Sequence, residues 1–179
     1  SKPSRTPWDP PYLWRRSLRT WSNIWSRRIS TKKRFPEKDS KYDNLLVSLL
    51  INRILKKGKK RLAKRIVYKA FELIEFRTNQ NPILILEKAI RNISPRVQLK
   101  AKRLGGATYQ VPTLLNKFRA TNIAIRWVVE FSRKRSGKGM SLKLANELLE
   151  AAKGSGNSIK KKEETHKMAE ANKAFAQFR

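Results

Sequence analysis

Apolar residues recur along most of this chain at the spacing of a helix, and in one place they switch to the spacing of a strand. Leu45, Leu46, Leu49 and Leu50 repeat with the 3.6-residue period, and Lys56-Lys57-Gly58 ends that stretch with a glycine where the chain leaves the helix. Leu62, Ile66, Ala70 and Leu73 step mostly by four and predict a second helix. Asn81-Pro82 then supplies a capping side chain followed by a proline in the first turn, where a missing N–H costs nothing. Leu86, Ala89, Ile90 and Ile93 are expected to form the buried stripe of that third helix.

After Ser94-Pro95 the period changes. Val97, Leu99 and Ala101 alternate with Gln98, Lys100 and Lys102, the two-residue repeat of a strand. Gly105-Gly106 provides a turn able to take positive φ, and Thr108, Tyr109 and Val111 favour a returning strand. The expected hairpin spans about 96–112 and is closed by Pro112. Two strands alone are marginal in water, so the arm should pack on helices or project toward a partner. Helix returns over about 120–135, with Ile123, Ala124, Trp127, Val128 and Phe131 on its apolar face. Leu144, Ala145, Leu148, Leu149 and Ala152 mark a fifth helix, ended by Lys153-Gly154-Ser155-Gly156. A sixth starts near Asn157, with Met168, Ala171, Phe175 and Phe178 as its stripe. The fold class is therefore mainly α: a six-helix body with a protruding two-stranded β-hairpin between helices three and four.

Residues 1–38 read as a separate basic extension, and 39–179 as the helical domain. Residues 1–36 hold ten basic residues and one acid, Asp9, with four prolines near the start. Trp14, Leu18, Trp21 and Trp25 fall on one face of a helix, with Arg15, Arg16, Arg19, Arg27 and Arg28 around it. Pro36 interrupts, and Glu37-Lys38-Asp39-Ser40 reads as a linker. Such a basic, tryptophan-bearing helix fits a membrane surface or an arginine-rich presequence. The preferred reading is a retained extension that packs its tryptophan face on protein and its arginine face on RNA.

Charge decides between partners. Lys and Arg number 43 against 13 Asp and Glu, a net charge of +30. Self-repulsion of that size destabilises a compact chain unless a polyanion neutralises it. Nucleic acid is the leading candidate, since its phosphates replace solvent counterions; an anionic membrane surface comes second. No apolar run approaches the ~20 residues of a membrane span. The chain has no cysteine, so neither a disulfide framework nor a thiolate metal site can be built.

The densest charge is Lys56, Lys57, Lys59, Lys60, Arg61, Lys64 and Arg65, across a helix break. A solvated face is the ordinary reading of such a run, but it needs opposing carboxylates, and none lies between Asn44 and Tyr68. A phosphate-binding corner fits better. The hairpin offers Arg96, Lys100, Lys102 and Arg103 beside Tyr109 and Gln110, a set able to hold phosphates and touch bases. Arg133, Lys134, Arg135 and Lys138, spaced by Gly137 and Gly139, form a flexible basic connector. His166, the only histidine, stands at helical spacing from Glu163 and Glu170 and is expected to pair with them on the surface. Lys56-Lys57-Gly58-Lys59-Lys60 lacks the second glycine and the Ser or Thr of a phosphate-cradling loop. No catalytic set, metal site or cofactor site emerges.

Several blocks appear in a familiar order: Asn52 to Lys60, Asn81-Pro82, Gly105-Gly106-Ala107-Thr108-Tyr109-Gln110-Val111-Pro112, Ala124-Ile125-Arg126-Trp127 and Lys161 to Asn172. Over about residues 39–179 the chain resembles small-subunit ribosomal protein seven, most strongly its bacterial and plastid-type members. The resemblance implies a helical body with a protruding hairpin, binding to the 3′ major domain of small-subunit ribosomal RNA, and nucleation of head folding. It also implies that Arg96 to Gln110 form an arm near messenger RNA and exit-site transfer RNA. Lys56 to Arg65 and the Lys160, Lys161, Lys162 and Lys167 region would be RNA contacts, with Arg53, Arg126 and the connector cations as further candidates. Residues 1–36 depart from the family, whose bacterial members have a much shorter leader.

The function expected is that of a non-enzymatic structural constituent of the ribosome. Its partners would be small-subunit RNA and the neighbouring head and platform proteins, with no independent homo-oligomer. A DNA-binding architectural protein is the alternative, since it shares the charge. The extension suggests an organelle, mitochondrion before plastid, with a bacterial cytoplasm as the other possibility.

Overall fold

A computed structural model describes residues 36–178 of the chain. Six α-helices and one two-stranded antiparallel sheet make up most of the regular structure there, with the hairpin between the third and fourth helices. The extension residues Trp14, Arg15, Arg16, Arg19, Trp21, Trp25, Arg27 and Arg28 lie outside the described residues.

Helix α1 (Leu45–Ile54) starts at Asn44, whose side-chain oxygen accepts a hydrogen bond from the Leu46 amide at 2.8 Å. The chain turns into α2 (Lys60–Thr78) through Lys57 and Gly58, both at positive φ, 51° and 72°. Asn81 caps α3 (Pro82–Ile93) by accepting from the Ile83 amide at 2.9 Å, with Pro82 in the first turn as its sequence predicts. The expected stripe of α3 is buried throughout. In α2 the stripe lies one residue later than expected. Ala63, Val67, Ala70, Phe71 and Ile74 face the core, while Leu62 is 49% exposed. Both phases fit a 3.6-residue period, and packing chooses between them. Helix α5 (Met140–Ala152) does much of the choosing, since it packs against α2, α3 and α4 (Lys117–Lys134) at once.

Strands β1 (Val97–Leu104) and β2 (Ala107–Leu114) pair from Val97 opposite Leu114 to Leu104 opposite Ala107. Gly105 and Gly106 make the two-residue turn at φ 54° and 90°, values that match the twist of a hairpin and that other residues adopt at a cost. Pro112 does not close the arm. It sits inside β2 opposite Leu99, because each strand of a two-stranded sheet keeps a free edge where a missing N–H breaks no ladder bond. Val111 is buried, and the arm rests through β1 on α6 (Asn157–Ala171) and through β2 on a short 3₁₀ helix, Lys173–Phe178.

The sixth helix is shorter than expected. Its buried positions are Ser158, Ile159, Thr165 and Ala169, while Met168 is exposed. At Asn172 both the backbone N–H and the side-chain amide donate to the Met168 carbonyl, at 3.2 and 2.8 Å. The side-chain donor shares that carbonyl with the helical backbone N–H, and beyond Asn172 the chain tightens into the 3₁₀ turn that carries Phe175. The expected linker is also part of the fold. Asp39 is buried, accepting from the Tyr68 hydroxyl at 2.9 and 3.0 Å and from the Lys41 amide at 3.2 Å. Burial, and then this donation to Asp39, push the Tyr68 hydroxyl above its ordinary pKa.

Candidate nucleic-acid interface

The basic corner is built by a helix end, a strained turn and a helix start. Lys56, Lys57, Lys59, Lys60, Arg61 and Arg65 are all exposed around the turn, with Arg53 exposed one turn earlier on α1. Helix α2 has no acidic residue in its first turn, and Lys59 makes no side-chain capping bond. Its N-terminal N–H groups and the positive end of its dipole therefore add to the side-chain charge, a ready site for phosphate. Lys64 is partly engaged, donating to Ser40 Oγ at 3.3 Å and standing 3.9 Å from the Asp39 carboxylate. The remaining cations of the corner have no carboxylate within ion-pair distance among the described residues.

The connector divides. Arg135 is drawn inward, its Nε donating to Glu147 at 2.7 Å and its Nη1 to Glu150 at 2.8 Å, with Nη2 on the second Glu150 oxygen. Glu147 is fully buried and also accepts from the Ser158 amide at 3.2 Å and hydroxyl at 2.5 Å. These bonds, Glu150 foremost, raise the Arg135 guanidinium pKa still further. Arg135 thus serves the junction of α4, α5 and α6 rather than a flexible connector. Lys134 pairs with Glu130 at 2.8 Å and lies over the Phe131 ring. Arg133 reaches back to the Ile54 carbonyl at 3.4 Å, and Lys138 is exposed.

On α6, Lys160 and Lys167 are exposed, Lys161 pairs with Glu164 at 2.7 Å, and Lys162 donates to the Asn92 carbonyl at 2.7 Å. Arg126 is exposed on α4. Residues directly opposite in an antiparallel pair share a face, so Lys100 and Lys102 go with Val111 and Tyr109. Arg103 goes with Thr108, and Gln110 with Ala101, on the other face. Tyr109 meets the Phe175 ring with centroids 5.1 Å apart, so part of its surface is taken up against the 3₁₀ helix. Arg96 is exposed where the arm leaves the body.

His166 does not pair with Glu163 or Glu170. Its Nε2 accepts from the Arg96 amide at 3.2 Å, fixing the start of β1 to α6. Burial, then the charges of Lys162 and Arg96, lower its pKa below 6.5 and favour the neutral acceptor form. Sequence reasoning also missed a cavity of about 370 Å³ beside the corner, floored by apolar residues including Leu62, Ile66 and Met140. Its one sequence signal is Leu62, a large apolar residue set among cations. Among the described residues no helix is long and apolar enough to cross a membrane, and no group of side chains could hold a metal ion.

Comparison with known proteins identifies relatives over most of the chain. The family model for ribosomal protein S7p/S5e matches residues 26–173, so it includes Arg27 and Arg28 and leaves Trp14 to Trp25 outside. The small ribosomal subunit protein uS7c of Trieres chinensis is 59% identical over 143 residues, 80% of this chain and 90% of that protein. The small ribosomal subunit proteins uS7 of Thermosynechococcus vestitus and Synechococcus elongatus are 53% and 52% identical over 154 residues, 86% of this chain and 99% of each relative. Relatives of plastid and cyanobacterial type give no support to the expectation of a mitochondrion, and the DNA-binding alternative loses its footing. With a match over that length, the chain belongs to the ribosomal protein S7p/S5e family.

Proposed function

We propose that this protein is a structural constituent of the small ribosomal subunit that binds the 3′ major domain of its RNA and nucleates folding of the head. The family is one of structural ribosomal proteins and not of enzymes, so no reaction is assigned. The observation that carries the reading is the corner at Lys56–Arg65, exposed cations over an uncapped helix start with little carboxylate to neutralise them. Phosphates supply the missing counter-charge. Lys160 and Lys167 on α6 and Arg126 on α4 extend the footprint, and Lys100, Lys102, Arg103 and Gln110 equip the arm for the exit-site region beside messenger and transfer RNA. Neighbouring head and platform proteins complete its surroundings, the protein acting within the subunit rather than as a homo-oligomer. The plastid-type relative points to a plastid-type ribosome.

The test is binding to a head-domain RNA fragment across a salt series. Expected is a steep linear fall of log K with log salt, since each phosphate contact releases counterions. A generic duplex of equal length should bind more weakly. Equal affinity for both, or affinity indifferent to salt, defeats the proposal.

A further inference from the structure

The corner is more than a charged surface. Where α1 ends and α2 begins, the end of α4 and the start of α5 come alongside and line the open 370 Å³ cavity. Its floor is Ile54, Leu62, Ala63, Ile66 and Met140, and its rim is Lys56, Lys57, Lys59 and Arg133. Ile54 and Ala63 are buried, whereas Leu62 stays 49% exposed. Arg133 is steadied at the rim by its bond to the Ile54 carbonyl. Among the described residues no carboxylate lines the space. An apolar floor under a ring of cations is costly to leave in water and calls for a ligand with an apolar body and an anionic attachment.

We infer that this cavity receives one unstacked nucleotide of the bound RNA, its base on the apolar floor and its flanking phosphates on the lysine rim. The inference rests on the RNA-binding reading above and adds a distinct contact to it. Proteins that read single-stranded RNA splay bases out of the stack and hold them against side chains. A base has flat apolar faces, polar edges and a phosphate on either side, the combination this cavity complements. Polyanion continuity favours RNA over an acidic peptide. The basic surface runs on from the cavity along Gly58, Lys60, Arg61 and Arg65, so a strand leaving the cavity keeps meeting cations. The turn at Lys57 and Gly58, both at positive φ, sets the rim lysines at the mouth.

The two parts of the contact separate by salt. The full chain and its Leu62→Ser and Lys59→Gln variants are titrated with the head-domain RNA fragment over a salt series, after a urea midpoint confirms that each is folded. Lys59→Gln should make the salt slope shallower by about one. Leu62→Ser should lower affinity about tenfold at every salt concentration, with the slope unchanged, because burial of apolar surface releases no counterions. A photoreactive diazirine leucine placed at position 62 should crosslink to RNA at a single nucleotide in the assembled subunit. Wild-type affinity for Leu62→Ser, or a crosslink to a protein instead of RNA, overturns the cavity inference while leaving the RNA-binding reading standing. Failure of the unaltered chain to bind the fragment overturns both.

Discussion

Lys56–Arg65 and Arg133–Lys138 look alike as strings, each a crowd of cations around a glycine where one helix gives way to the next. The fold treats them differently. In the first, the cations stay at the surface, with Lys64 alone drawn partway to the Asp39 carboxylate. In the second, Arg135 is held by the buried Glu147 and by Glu150, Lys134 by Glu130, and Arg133 by a backbone carbonyl. The cause lies downstream. The helix that follows the second run carries two carboxylates toward it, and one of them is inaccessible to water. A buried carboxylate requires a cation, whereas an exposed lysine requires nothing from its own chain. A run of positive charge is therefore read by asking which buried acid claims it.

The sharpest break of this comparison is Arg135→Ala. It strands Glu147 in the core with only the two Ser158 donors, and uncompensated buried charge is among the most destabilising of changes. A loss of about 3 kcal/mol is expected, read as a lowered urea midpoint with unchanged m-value. RNA affinity measured where the variant is fully folded should keep its salt slope. A loss below about 1 kcal/mol, within the range of an ordinary exposed ion pair, would place Arg135 with the surface cations and erase the distinction.

The opposite result is expected of the corner. Replacing Lys59, Lys60 and Arg61 together by Gln should leave stability within about 0.5 kcal/mol per site, or raise it slightly by relieving self-repulsion. The same variant should make the RNA salt slope shallower by about three, one for each phosphate contact removed. An unchanged slope would mean that these cations, exposed as they are, touch no RNA.

What could be read in advance follows from how local each feature is. Helix number, the hairpin and the stripe of α3 depend on periods within one segment, and those were visible. The corner was visible too, because it depends on an absence of acids within the same stretch. Features decided by distant partners were not. Leu62 and Ala63 compete for one inward position, and α5, some 80 residues later, favours the smaller. Asp39 looked like linker until Tyr68 came to meet it. The cavity needs Met140 and Arg133, which no local pattern brings to Leu62. The helix stop at Asn172 was local and was missed because its side-chain bond leaves no trace in the hydrophobic period.

The smallest effect concerns a group that can join either class of cation. His166 is neutral while it accepts from the Arg96 amide, and Lys162 and Arg96 are the charges that oppose its protonation. Its folded pKa lies below the ordinary 6.5, so the unfolded chain binds the proton more readily. The stabilisation it provides is complete above that value and is lost as pH falls through the lower folded pKa. Protonation turns the acceptor nitrogen into a donor and adds a cation beside Lys162 and Arg96. Hydrogen exchange of the Arg96 amide should therefore speed up several-fold relative to core amides as pH is lowered below the ordinary histidine range, with the six helices intact. His166→Ala should show the faster exchange at neutral pH and no further change on acidification. If wild type and variant exchange alike at neutral pH, the hairpin is held by β1 and β2 packing alone, and the histidine belongs with the surface groups after all.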